Sequence, residues 1–299
     1  MFFRRVAIWT ILSTAVSAAV GIAIFAPPTR AARADDAQND AEKQAAQERK
    51  ERFTKWMRTY AEGTRVKLQR KEETEELPAE LVANPIFRYT DDLRAIPDAT
   101  LWVWTRDARP VALQKVEGNN HGGGQAWTIC FASLSEELLE VHWPSGRRYA
   151  ARKPGLTFSP IPRADVPAEK GPARRAQIKS LKDRFTARIN VDDEGKVGAE
   201  TRMIATPVFE YSDPSSKLPL GAIFGLTATT TTNPDLLLVI EARPDGAGKF
   251  RWEFAHVRMT SNAVVMRLDG DEVWSEANVP VNNPVFDTWT FYFLPRDFK

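Results

Sequence analysis

His121-Gly122-Gly123-Gly124 is the segment most like a catalytic motif in this chain. An HGGG loop can offer backbone N–H groups to an oxyanion in lipase-like hydrolases. Such enzymes also carry G-x-S-x-G on a strand-to-helix elbow, and the sequence has no such pentapeptide. The later half fills the corresponding slot with Pro244-Asp245-Gly246-Ala247-Gly248, a glycine turn, so HGGG reads as a loop. The histidines are His121, His142 and His256, and none lies three to five residues from another, which leaves no local zinc pair. Gly246-x-Gly248-Lys249 and Gly195-Lys196 lack the spacing and the following Ser or Thr of a phosphate loop. Asp192-Asp193-Glu194-Gly195 lacks the remaining ligands of a calcium loop, and both segments read as turns.

Trp102 and Trp104, together with Trp127 and Trp143, offer flat rings on which a sugar or aromatic ligand would stack. The later half carries Phe224 and Leu226 at the first two positions, an exchange that a core tolerates better than a stacking site does. Cys130 is the single cysteine and matches Ala255, so it reads as a small buried residue. Thr227 and Thr229 to Thr232 read as a strand end and a solvated loop. The sequence thus assigns no catalytic residue and no metal ligand, and it leaves any cofactor and its residues unknown.

The elements that would position such residues occur twice. Ala83 to Thr105 matches Ala205 to Thr227 without a gap, with seven identities in twenty-three positions. Phe53, Trp56, Met57 and Tyr60 share one face of a charged helix expected over 35–63, and Gly63-Thr64 is a stop signal. Ile178, Leu181, Phe185 and Ile189 are read as one face of a second helix. Alternating strands follow each helix, and Leu236 to Ile240 is apolar throughout, as suits a strand buried on both faces. Asp269-Gly270 signals a type I′ hairpin turn. Residues 69–80 read as a solvated loop, and the prolines over 153–175 read as a stiff connector. Val285 to Leu294 reads as a core-lining final strand.

The expected fold is α+β and predominantly antiparallel β. It consists of two tandem helix-plus-sheet repeats, as a sandwich or half-barrels, related by pseudo-twofold symmetry. The expected boundaries are a signal peptide or anchor over 1–34, a first repeat over 35–153, a linker over 154–175 and a second repeat over 176–299.

Met1 to Arg5 is basic, Val6 to Ala26 is uncharged and apolar or small, and Ala32-Arg33-Ala34 is an A-x-A cleavage pattern. An exported protein is expected, periplasmic or extracellular, with membrane contact only through residues 6–26 if the segment is retained. Removing 1–34 changes the formal charge from +2 to −2, so nothing argues for nucleic acid.

The pattern Pro207-Val208-Phe209-x-Tyr211, Ile240-Glu241-Ala242-Arg243, Trp252-x-Phe254-Ala255-x-Val257-Arg258-Met259-Thr260 and Leu268-Asp269-Gly270-x-Glu272-Val273-Trp274 resembles a group of exported, two-repeat planctomycete bacterial proteins. That resemblance implies export and a two-copy layout and carries no activity or site residue with it. The functional expectation is an exported envelope module, binding or structural, whose partner is an envelope protein, a glycan or a small ligand. The alternatives are a cofactor-binding enzyme, for example of flavin split-barrel type, and a membrane-tethered interaction protein.

Overall fold

The computed structural model describes residues 30–69, 77–120, 126–190, 198–213, 218–279 and 287–295. The HGGG loop, Asp192 to Gly195 and the apolar segment 6–26 lie outside the described residues. No described helix is long and apolar enough to cross a membrane. The chain divides into a unit over 1–48 and a unit over 49–299, and the second carries everything described below.

The first helix, α1 (Arg30–Gly63), stops at the expected glycine. It is followed by β1 (Arg65–Gln69), β2 (Leu77–Pro78), β3 (Glu80–Leu81), β4 (Phe87–Asp91), β5 (Ile96–Arg106), β6 (Arg109–Asn119), β7 (Ala126–Ser133), β8 (Leu138–His142) and β9 (Arg148–Ala150). Next come β10 (Ser159–Pro160), α2 (Gly171–Lys182), β11 (Phe185–Ile189), β12 (Ala199–Met203), β13 (Phe209–Asp213), β14 (Leu218–Ala228) and β15 (Pro234–Pro244). The chain continues through β16 (Phe250–Arg258), β17 (Val264–Leu268), β18 (Asp271–Glu276) and β19 (Trp289–Pro295). All pairings among the described strands are antiparallel. The protein is therefore mostly antiparallel β, with a sheet that curls into a half-barrel.

Two sheets form the middle of the unit. One runs β19-β7-β6-β5-β3, with β4 also on β5, and the other runs β10-β16-β15-β14-β12-β11-β17-β18, with β13 also on β14. Period-two alternation decides which residues go where. Leu237 and Val239 join Leu101, Val103 and Leu113 in a core shared by both sheets. Their neighbours Leu236, Leu238 and Ile240 face α2, in a core with Ile178 and Leu181. Trp102 and Trp104 face α1, in a core with Met57 and Tyr60. Both tryptophans are about 1 % exposed, so they pack the core and are not free to stack on a ligand. Trp127 is likewise buried, with its ring stacked on Trp56 at 3.9 Å.

Several expectations need correction. Phe185 and Ile189 are not on the second helix: α2 ends at Lys182, and Phe185, Ala187 and Ile189 alternate along β11. A spacing of four fits both a helical face and every second strand residue, so those two positions could not discriminate. Residues 77–81 are not loop, because they pair with β1 and β5. Thr227 lies near the end of β14, and Thr229, Thr230 and Thr232 are exposed, as a solvated loop requires; Thr231 alone of the loop is buried, and Thr231 and Thr232 donate to the Thr90 carbonyl. Helix α2 begins at Gly171, and the proline-rich stretch before it supplies β10 and buries Leu156 and Ile161. The Asp269-Gly270 turn has φ of 53° and 94°, as a type I′ hairpin requires. The Arg184 guanidinium and then Arg163 hold the Asp269 carboxyl down at about 2.

The final strand does not stay with the β17–β18 hairpin. β19 pairs with β7 along its full length, from Trp289 opposite Ala132 to Pro295 opposite Ala126. β10, which follows the β8–β9 hairpin, pairs instead with β16. Taking 49–161 as the first half and 171–295 as the second, each half contributes its last strand to the other half's sheet.

Candidate functional site

Sheet register builds one arrangement in both halves. Tyr89 on β4 stands opposite Ala99 on β5, which stands opposite Glu117 on β6. The small residue in the middle lets the phenol reach across, and Tyr89 Oη donates to Glu117 Oε1 at 2.6 Å. In the other sheet Tyr211 stands opposite Gly221, and Gly221 opposite Glu241. Tyr211 Oη donates to Glu241 Oε1, again at 2.6 Å. A Cβ on Gly221 would lie 2.4 Å from the Tyr211 ring, so glycine is needed there for this close approach. Burial, then the neighbouring carboxylate, pushes both phenols well above their ordinary range, which fixes them as donors.

The surroundings of the two carboxylates differ. Glu241 is fully buried and forms ion pairs with Arg109 at 2.7 Å and with Arg243 at 3.1 Å. Both arginines also reach Glu136, and Arg243 pairs with Glu253. The Arg243 guanidinium lies 4.1 Å from the centroid of the Phe158 ring. Glu117 forms no ion pair among the described residues and borders a cavity of about 240 Å³. The first half lines that cavity with Arg94, Lys115, Asn119, Thr128 and Cys130, the second with Asn233, Asp235, Thr260, Trp289 and Phe291.

Most polar groups of the cavity are engaged. Lys115 occupies a strand position whose side chain is almost fully enclosed, and its Nζ donates to Asn233 Oδ1 at 2.7 Å and to the Met259 carbonyl at 3.3 Å. Arg94 bridges Asp91 at 3.0 Å and Asp235 Oδ1 at 2.9 Å. Asn119 donates to Thr128 Oγ1. Asp235 Oδ2 is not: the residue is 1 % exposed, and this oxygen has no hydrogen-bond partner among the described residues. An enclosed carboxylate oxygen without a donor is costly, and it marks where a ligand donor would be stabilised.

Cys130 lies in the wall, where burial pushes its thiol up to about 12, so it is not a nucleophile at neutral pH. His142 is bonded to Glu140 at 2.6 Å. His256 stacks on Trp274 at 4.2 Å. Gly246 and Gly248 sit in a turn with φ near 80°, closed by Asp245 N donating to the Lys249 carbonyl. No group of three or more His, Cys, Asp or Glu side chains suited to a metal occurs among the described residues. Sequence reasoning found the repeat of Tyr89 and Tyr211 but missed their carboxylate partners. A signal was present: Glu241 ends the apolar run Leu236 to Ile240, and Glu117 lies in the corresponding strand of the first half.

The chain matches no protein-family model, no curated protein and no solved structure.

Proposed function

We propose that this is an exported small-ligand-binding module, with the cavity between the halves as its site. The observation that carries the reading is Asp235 Oδ2, enclosed and without a donor among the described residues, in the same cavity as Glu117, which takes the Tyr89 hydroxyl but no cation among those residues. A cavity of about 240 Å³ lies below the roughly 300–1,000 Å³ of sites for drug-sized ligands, which favours a small molecule over a flavin. The raised Cys130 thiol and the protonated phenols favour binding over nucleophilic chemistry.

The halves descend from a duplicated unit whose terminal strands are exchanged. The matched segments, the two tyrosine–glutamate rows and the reciprocal pairing of β10 and β19 support this. Residues 1–34 direct export, as their basic, apolar and A-x-A order indicates.

The test is native mass spectrometry on protein recovered from the exported fraction. A mass equal to residues 35–299 with a discrete small adduct is expected, and the adduct should weaken in Asp235→Asn. Recovery of the bare chain from every preparation, with no compound rescuing the adduct, would sink the binding reading.

A further inference from the structure

We infer that the cavity receives a guanidinium group carried by a small ligand, held by Glu117 and Asp235 beside the ring of Phe291. This rests on the binding reading above and names its ligand class.

The template lies in the molecule itself. In the second half, a carboxylate bonded by a tyrosine takes two guanidiniums, both over the Phe158 ring, the nearer at 4.1 Å. The first half keeps the carboxylate and the tyrosine, and β19 of the second half brings an aromatic ring, Phe291, but both arginines are lacking. Arg243 stands two residues after Glu241, and Asn119 stands two residues after Glu117. Arg109 precedes Pro110 and reaches Glu241 from the other half, while Asn233 precedes Pro234 and reaches the cavity from the other half. Two neutral amides therefore stand where two cations stand in the second half, and open volume takes the place of the side chains.

The cations already present do not substitute. Lys115 Nζ spends its bonds on an amide oxygen and a carbonyl, and Arg94 spends its own on Asp91 and Asp235 Oδ1. Among the described residues the acceptors left over are Glu117 Oε2, the oxygen not bonded by Tyr89, and Asp235 Oδ2. A planar guanidinium supplies paired donors in a fork that fits carboxylates, and its face packs on aromatic rings. An ammonium has the charge without the plane, and urea has the plane without the charge.

The experiment is calorimetric titration of the purified protein with methylguanidinium, with methylammonium and urea as comparators. Saturable binding with a Kd of about 1 mM is expected for methylguanidinium. Binding should be at least about tenfold weaker in Glu117→Gln, and urea should give none. Asn119→Arg, which copies the plug of the second half, should abolish binding and raise Tm by about 2–4 °C. An equal response to urea, or undiminished binding in Glu117→Gln, overturns the inference, and the glutamine variant decides alone if the arginine variant does not fold. Loss of a native adduct in Asn119→Arg without any methylguanidinium binding to the wild type would keep the binding site and discard the guanidinium. An adduct that persists undiminished in Asn119→Arg would discard the site as well.

Discussion

Glu117 and Glu241 occupy matching places on their strands, and each takes a tyrosine hydroxyl at 2.6 Å. Their energetic roles differ because their partners differ. Glu241→Gln weakens charge-assisted bonds to Arg109 and Arg243, which keep Glu136 and Glu253 as anions, and a loss of about 2–3 kcal/mol is expected in denaturant unfolding. Glu117→Gln weakens one neutral-to-charged hydrogen bond beside a cavity and should cost about 1 kcal/mol. Equal losses would mean that the arginines contribute nothing. His256 gives a second prediction at this scale. Burial lowers its imidazole to about 4 from an ordinary value of 6.5. The unfolded chain therefore binds the proton first, and the folded state loses stability as pH falls from about 6.5 towards 4. His256→Phe, which copies Phe131 at the matching position, should flatten unfolding stability across that window; an unchanged slope would exclude His256 as its source.

At the scale of elements, the reciprocal strands are the feature that most constrains the chain. β7 is covered on one edge by β6 and on the other by β19. Without β19, β7 becomes an exposed apolar edge, and Trp289, Phe291, Tyr292 and Leu294 leave two cores at once. Deleting 287–299 should therefore convert a monodisperse protein into aggregate, visible by light scattering and by loss of near-ultraviolet circular dichroism. A soluble, cooperatively unfolding truncation would show that β19 is a dispensable addition. The helices have a simpler part, since each lays one apolar face on its own sheet. Trp56 and Phe53 meet Trp127 from α1, and Ile178 and Leu181 enter the core from α2.

For the whole molecule, the shared core between the two sheets means that neither half holds a complete set of partners. Leu101, Val103 and Leu113 from the first half pack with Ile223, Leu237 and Val239 from the second. Fragments 49–161 and 171–299, expressed apart, should each fail to unfold cooperatively, and mixing them should restore a single transition in differential scanning calorimetry. Two separately folded, non-associating fragments would contradict the exchange. The cavity has the same dependence: Asn233, Asp235 and Thr260 come from one half, and Lys115, Glu117 and Asn119 from the other.

The sequence by itself determined what depends on local period and backbone chemistry. The stop of α1 at Gly63, the type I′ turn at Asp269-Gly270, the doubly buried run Leu236 to Ile240 and the buried Trp102 and Trp104 were all legible. Where two periods coincide, as for Phe185 and Ile189, local pattern was blind, and the helix was drawn too long. Only the tertiary structure decided which half each terminal strand serves, because an apolar strand reads the same whichever edge it covers. The site was hidden for a related reason. Tyr89, Ala99 and Glu117 become one row only once two strand registers are set, and Asp235 meets them only across the interface. Contacts between residues far apart in the chain are set by packing, which no stretch of sequence encodes alone.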